Sequence, residues 1–149
     1  MKIIQNDDEP GMRDWLGRTR MVCITSPQLK SITGESAAIT LNDLNEKYLD
    51  VHLTGKSNVE IETLRPDFDS LFVILRDSSQ LKFEMAEEIP SSGLLTANFV
   101  SADLRGNSFL DVGHIQIKNL KKTLDDTAAM ALNGMTLEIM GKADRTGLR

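Results

Sequence analysis

Apolar and polar residues alternate along the middle of this chain, and the alternating runs recur in step. Leu49, Val51 and Leu53 fall on one side of an extended segment, and Val59 and Ile61 resume that side after a short break. The same arrangement returns 22 residues later as Leu71, Val73 and Leu75 with Leu81 and Phe83. It returns again, a further 29 residues on, as Val100, Ala102 and Leu104 with Leu110 and Val112. A period of two is that of a β-strand, so each run predicts a strand with one apolar face. Self-similarity at a spacing of some twenty residues predicts a repeat architecture.

The breaks are alike too. They read Gly55-Lys56-Ser57, Asp77-Ser78-Ser79 and Gly106-Asn107-Ser108. Gly accepts a positive φ freely, and Asp and Asn accept it better than most residues. Each break therefore predicts a bend, with Ser57, Ser79 and Ser108 at one equivalent place where a hydroxyl can bond the local backbone. A tight hairpin usually has two turn residues such as Asn-Gly. Three residues at each break, and like residues at every inward site, favour corners of stacked coils over hairpins. Stacking puts Leu53 under Leu75 and Leu75 under Leu104. Units that cannot bury an apolar face alone gain a continuous core this way. The longer second spacing accommodates an insertion at Glu88–Gly93.

Weaker copies flank the clear ones. Ile32-Thr-Gly34-Glu-Ser36, followed by Ile39 and Leu41, has the bend chemistry. Ala129 to Ile139 has the alternation with an altered bend, and Asn133-Gly134 is alternatively a hairpin turn. The predicted fold is all-β: a single-stranded parallel β-helix over residues 29–149, with residues 1–28 as a short N-terminal capping segment. In that segment Arg13–Gly17 predicts a helical turn and Met21–Ile24 a strand. Trp15 and Leu16 are the expected cover for the first coil, because an open end exposes core and unpaired strand edges.

The repeated unit, in the form Leu49-Asp-Val-His-Leu-Thr-Gly-Lys-Ser-Asn-Val-Glu-Ile61, resembles the putative auto-transporter adhesin, head GIN domain family. Ile115–Leu120 through Asp125–Leu137 is similar to that family's carboxy-terminal coil. The resemblance covers roughly residues 29 to 141. It implies a right-handed β-helix in a bacterial cell-envelope protein, adhesin-like and without an agreed activity. The chain departs from the family pattern in its bends, with Asp77 for Gly and Gly134 displaced.

Composition narrows the functional classes. At 149 residues one domain is expected, and 40% hydrophobic with 26% charged residues is the balance of a folded chain. Seventeen Lys and Arg against 22 Asp and Glu give a net charge of −5. No basic cluster or basic–aromatic stripe appears, so nucleic acid is not an expected partner. No apolar run approaches the length that spans a bilayer. The start, Met1 to Glu9, lacks the apolar core of a signal peptide. The location is then the envelope by resemblance, with an export segment outside this chain, or else the cytoplasm.

Candidate chemistry is sparse. Cys23 is alone, and reads as a small buried hydrophobe before a reactive thiol. His52 and His114, without Cys or carboxylates at ligand spacing, read as surface residues and not as metal ligands. Asp67-Phe-Asp69 and Asp125-Asp126 lack the Gly and distal Glu of a calcium loop and read as loop carboxylates. No nucleophile elbow or phosphate loop is present. No cofactor or metal is implied. Stacking aligns His52, Ile74 and Asp103 in one outward column, and Glu60, Lys82 and Asp111 in another.

Phe72 and Ile74 are the exception among outward residues, apolar where neighbouring coils carry Asp50, His52, Ser101 and Asp103. They form either an exposed binding patch or a surface covered by residues 84–98, which hold Ile89, Leu94 and Leu95; coverage is the favoured expectation. The expected function is a non-enzymatic surface or envelope module that presents a rigid face to a glycan or an envelope protein. The alternatives are a polysaccharide-active enzyme of the pectate-lyase type and a self-assembling cytoplasmic scaffold.

Overall fold

The computed structural model describes residues 26, 28–63, 67–85, 95–132 and 135–138. Trp15, Leu16, Cys23, the helical turn and strand expected before residue 26, and the inserted residues Glu88–Gly93 lie outside them. Eleven strands are described: β1 (Ser31–Glu35), β2 (Ala38–Leu44), β3 (Tyr48–Thr54), β4 (Asn58–Thr63), β5 (Asp67–Leu75), β6 (Gln80–Met85), β7 (Leu95–Leu104), β8 (Phe109–Val112), β9 (Ile115–Leu124), β10 (Ala129–Leu132) and β11 (Met135–Glu138). They build two sheets. One has the order β1-β3-β5-β7-β9, the other β11-β10-β8-β6-β4-β2. Every neighbouring pair is parallel except β10 with β11. From β1 to β10 consecutive strands thus alternate between sheets, and the chain winds as a parallel β-solenoid.

The register is the one the repeats predict. Leu53 lies beside Leu75, and Leu75 beside Leu104. Val59 aligns with Leu81 and Leu81 with Leu110 on the other sheet. The flanking copy at Ile32 is a true coil: Ile32 pairs with Val51, and Ile39 with Val59. Between the sheets runs one apolar column of core, in which Leu49, Val51, Leu53, Leu71, Leu75, Val100 and Leu104 have no exposed surface. Phe68 and Phe83 meet edge to face across it, their ring centroids 5.9 Å apart. Burial of each large side chain contributes about 1.5–3 kcal/mol.

Each bend is built on one left-handed residue. Ser36, Gly55, Asp77, Gly106 and Asp126, at equivalent places on successive coils, have φ between 49° and 73°. The hydrogen-bond ladder continues through the bends, so their amides keep partners. Arg76 N donates to Leu53 O, Ser78 N to Gly55 O and Gln80 N to Ser57 O, at 2.8–3.0 Å. The carboxylate of Asp77 accepts from Gly55 N at 2.9 Å, and that of Asp126 from Gly106 N at 3.2 Å. Two residues beyond Gly55, Asp77 and Gly106, the serines Ser57, Ser79 and Ser108 are buried. Ser57 Oγ donates to Thr54 O and Ser79 Oγ to Arg76 O, as expected of bend hydroxyls. The Ser108 hydroxyl has no hydrogen-bond partner among the described residues.

The carboxy-terminal reading needs a correction of phase. The last bend is Asp125–Ala128, which joins β9 to β10; Met130 pairs with Leu110. Asp125 and Asp126 lie between strands as expected, and there they form the bend of a full coil, whereas Asp67 and Asp69, also expected in a loop, belong to strand β5. Beyond β10 the chain reverses, with β11 antiparallel and Leu132 opposite Met135. This is the hairpin alternative for the segment containing Asn133 and Gly134, which lie outside the described residues. An antiparallel strand cannot start another coil in register, so β11 ends the repeat of the second sheet.

The first sheet ends differently. Its last strand, β9, holds Lys122 in the inward column Ile32–Val51–Val73–Ala102–Lys122. Leu120 and Leu124 on either side pack against the core, whereas Lys122 is exposed. A charge at an inward place on a terminal strand opposes addition of a further coil, because stacking would strip its water. Lys122→Val is expected to self-associate with rising concentration in analytical ultracentrifugation. Equal sedimentation of both proteins across the same range would remove this role for Lys122.

Candidate functional site

The site is the outward face of the first sheet. Alternation that turns Leu49, Leu71 and Val100 inward turns Tyr48, Phe72 and Phe99 outward. Tyr48 and Phe99 share a column with Ser70 between them. Phe72 stands in the next outward column, diagonal to both. Diagonal neighbours of this kind are within reach of aromatic side chains. Ring centroids lie 5.5 Å apart for Tyr48–Phe72 and 5.7 Å for Phe72–Phe99, tilted by 44° and 53°. The single tyrosine and two of the five phenylalanines of the chain are thus on one strip. Tyr48, 44% exposed, is the large hydrophobic residue most open to solvent among the described residues.

Phe72 and Ile74 are where the sequence predicted an outward patch, and both are half-buried. The expected cover does not include Leu95, which points into the core beside Ile115. Ile89 and Leu94 lie outside the described residues. Next to the aromatic strip is an open depression of about 380 Å³, lined by Asp50, Phe72, Ile74, Ser101, Asp103, Lys121 and Thr123 with Val73 and Ala102 at its base. One outward column crosses it from strand to strand as Asp50, Phe72, Ser101 and Lys121. The adjacent column is His52, Ile74 and Asp103, the order expected from the repeats, continued by Thr123.

Asp103 is held from two sides. Arg76 gives it a bond of 2.7 Å through Nη2, and also donates to the Asp103 and Leu75 carbonyls. Arg105 Nε reaches the other carboxylate oxygen at 3.3 Å and lies 3.8 Å from Asp125. The hydrogen-bonded Arg76 guanidinium holds the Asp103 carboxyl below its ordinary range, against partial burial, which pushes it up; Arg105 adds to the lowering. A carboxyl depressed in the folded state stabilises fully above its unfolded pKa of about 3.9 and loses that contribution as pH falls through the lower folded value. Asp103→Asn should therefore flatten the acid limb of stability in urea melts below about pH 3.9. An acid limb as steep as that of the parent would show that Asp103 does not carry it.

The other candidate carboxylates and histidines are dispersed. His52 is exposed within its column, and His114 is exposed in the turn before β9. Asp67 lies 3.7 Å from Lys47, both half-exposed, and Asp69 accepts from Asn98 at 3.2 Å. Asp67 and the start of β9 sit at one corner of the solenoid with β7 between them, since Asp67 aligns with Thr96 and Thr96 with Gln116. Glu60, Lys82 and Asp111 align on the second sheet as predicted. Lys82 is paired along its own strand with Glu84, which raises the Lys82 pKa with smaller help from Glu60 and Asp111. Among the described residues no three metal-ligating side chains converge, and no helix is long and apolar enough to cross a membrane.

No family model, no curated protein and no solved structure matches the chain.

Proposed function

We infer that the chain is a non-enzymatic β-solenoid module whose first sheet presents a rigid outward face for binding. One observation carries this reading: the strip Tyr48–Phe72–Phe99 is built on three adjacent strands of a continuously hydrogen-bonded sheet. Aromatic side chains combine a large contact area with few rotatable bonds, and they concentrate where proteins bind. A face supported by stacked coils loses little conformational entropy on binding, which favours affinity. The likeness of the repeat to the head GIN domain supports an adhesin-like role at the cell envelope.

The charged groups near the strip support binding over catalysis. General acid–base chemistry needs a base and an acid poised over one bond. Here Arg76, Asp103, Arg105 and Asp125 compensate one another along the bend edge, and Ile74 interrupts the column between His52 and Asp103.

The test is adherence. Labelled protein is expected to bind isolated bacterial cell envelopes. A Tyr48→Ala, Phe72→Ala, Phe99→Ala triple variant should lose about tenfold or more in affinity. Circular dichroism and the thermal midpoint should change little, because the three rings lie outside the core. Undiminished adherence of the folded triple variant would refute the assignment of this face.

A further inference from the structure

We propose that the depression beside the strip is a subsite for a neutral sugar ring, stacked on Phe72 and hydrogen-bonded by the polar residues around it. The inference rests on the binding role just assigned to this face and names its ligand class.

Three observations point to that class. The first is size. An open depression of about 380 Å³ has room for one or two sugar rings. The second is the alternation of chemistry over a short distance. Phe72 and Ile74 supply apolar surface, while Asp50, Ser101, Lys121, Asp103 and Thr123 surround it. A sugar ring has the same division, with C–H groups on its faces and hydroxyls around its edge. Each hydroxyl both donates and accepts, so it can donate to Asp50 or accept from Lys121, and do either with Ser101 or Thr123.

The third is charge. One column passes from an acid, Asp50, over the Phe72 ring and Ser101 to a base, Lys121. The arginines already engaged with Asp103 balance that carboxylate. No single sign dominates. An anionic chain would meet Asp50, and a cationic one Lys121. An apolar peptide side chain would cover these polar groups without giving them partners, which is costly. A neutral polyhydroxyl ligand is complementary to all of them together.

The experiment combines a titration with a map. Neutral gluco-, galacto- and manno-oligosaccharides are titrated into the protein by calorimetry and followed by amide chemical shifts. An oligogalacturonate serves as the anionic probe and a glucosamine oligomer as the cationic probe. The expected result is binding of at least one neutral oligosaccharide, with shifts centred on Asp50, Phe72, Ser101 and Lys121. Phe72→Ala should weaken it about tenfold or more, and Phe72→Tyr should retain it. Asp50→Asn should weaken it several-fold, while leaving the thermal midpoint within the range usual for surface changes.

Binding at this face by the charged probes alone overturns the neutral-sugar assignment and leaves the binding face standing. So does a protein that binds no sugar yet loses envelope adherence on Phe72→Ala; the occupant is then a protein. A dimer that Phe72→Ala dissociates in ultracentrifugation also overturns it, because a second copy then fills the depression. If Phe72→Ala changes neither sugar binding nor adherence, the subsite and the binding face both fall.

Discussion

Leu75→Ala should be among the most damaging single truncations in this protein, lowering stability by about 2–5 kcal/mol. Leu75 has no exposed surface and lies between Leu53 on one coil and Leu104 on the next. Removing its three outer carbons leaves a cavity that two neighbouring leucines border. Hydrogen-bonded strands on either side keep the coils about 4.7–4.9 Å apart, so they cannot close over it. Position in the solenoid adds to the effect. Each coil packs only on its neighbours, and such arrays need at least about three repeats for stability. A defect in the central coil weakens the link between two halves that are each close to that limit. Urea melts give the size, and amide exchange gives the place: protection should fall on β3, β5 and β7 together. A loss well under 1 kcal/mol, within the usual range for surface changes, would mean that Leu75 is not a core residue.

Much of this fold was legible because its strands are parallel, stacked and in step. In such a fold each inward site repeats in the sequence, and the spacings of 22 and 29 residues between Leu53, Leu75 and Leu104 carry directly into register. The outward columns followed from the same offset. Phase was lost where the chemistry of a bend changed. Leu124-Asp-Asp-Thr-Ala128 has neither the Gly of the bends at 55 and 106 nor the Ser of the three clear units, so the alternation alone points to the fifth coil one strand late. Its signal was present in Asp126, which can hold the left-handed conformation that Asp77 holds.

The binding face was half legible. Phe72 and Ile74 stood out because neighbouring coils carry polar residues at those places. Tyr48 and Phe99 did not, since each precedes the first inward residue of its repeat, Leu49 or Val100. Carrying the alternation back by one residue turns Tyr48, Ser70 and Phe99 outward together. Phe72 meets both rings diagonally, a relation between columns that alternation alone does not reveal. The bond from Arg76 to Asp103 was hidden for a related reason. Arg76 is a bend residue, and its long side chain reaches across to the next coil, 27 residues away in sequence.

Gly106→Ala should lower stability by about 2–4 kcal/mol, although it adds a single carbon. Two effects combine. Gly106 has φ of 73°, a conformation that costs a residue with a Cβ about 1–2 kcal/mol. A Cβ there would also stand 2.6 Å from the carbonyl oxygen of Asp77 and 3.1 Å from its nitrogen. Those atoms belong to the backbone of the coil before, where the Asp77 carbonyl accepts from Asn107 N and the Asp77 carboxylate from Gly55 N. Moving them opens the ladder at the bend, so relief of the clash has its own cost. The column as a whole reflects this crowding: Gly55 and Gly106 alternate with Ser36, Asp77 and Asp126, and a Cβ on Gly55 would likewise meet Ser36, 3.2 Å from its nitrogen. Gly34→Ala is the control. Gly34 is buried, more so than Gly106, but its backbone is not left-handed, and its Cβ would meet the Cδ2 of Leu53 at 3.2 Å, the end of a side chain that can shift. It should cost about 1 kcal/mol or less. Paired urea melts decide the matter: equal midpoints for the two variants would mean that the left-handed bend at Gly106 is not what holds the coils in step.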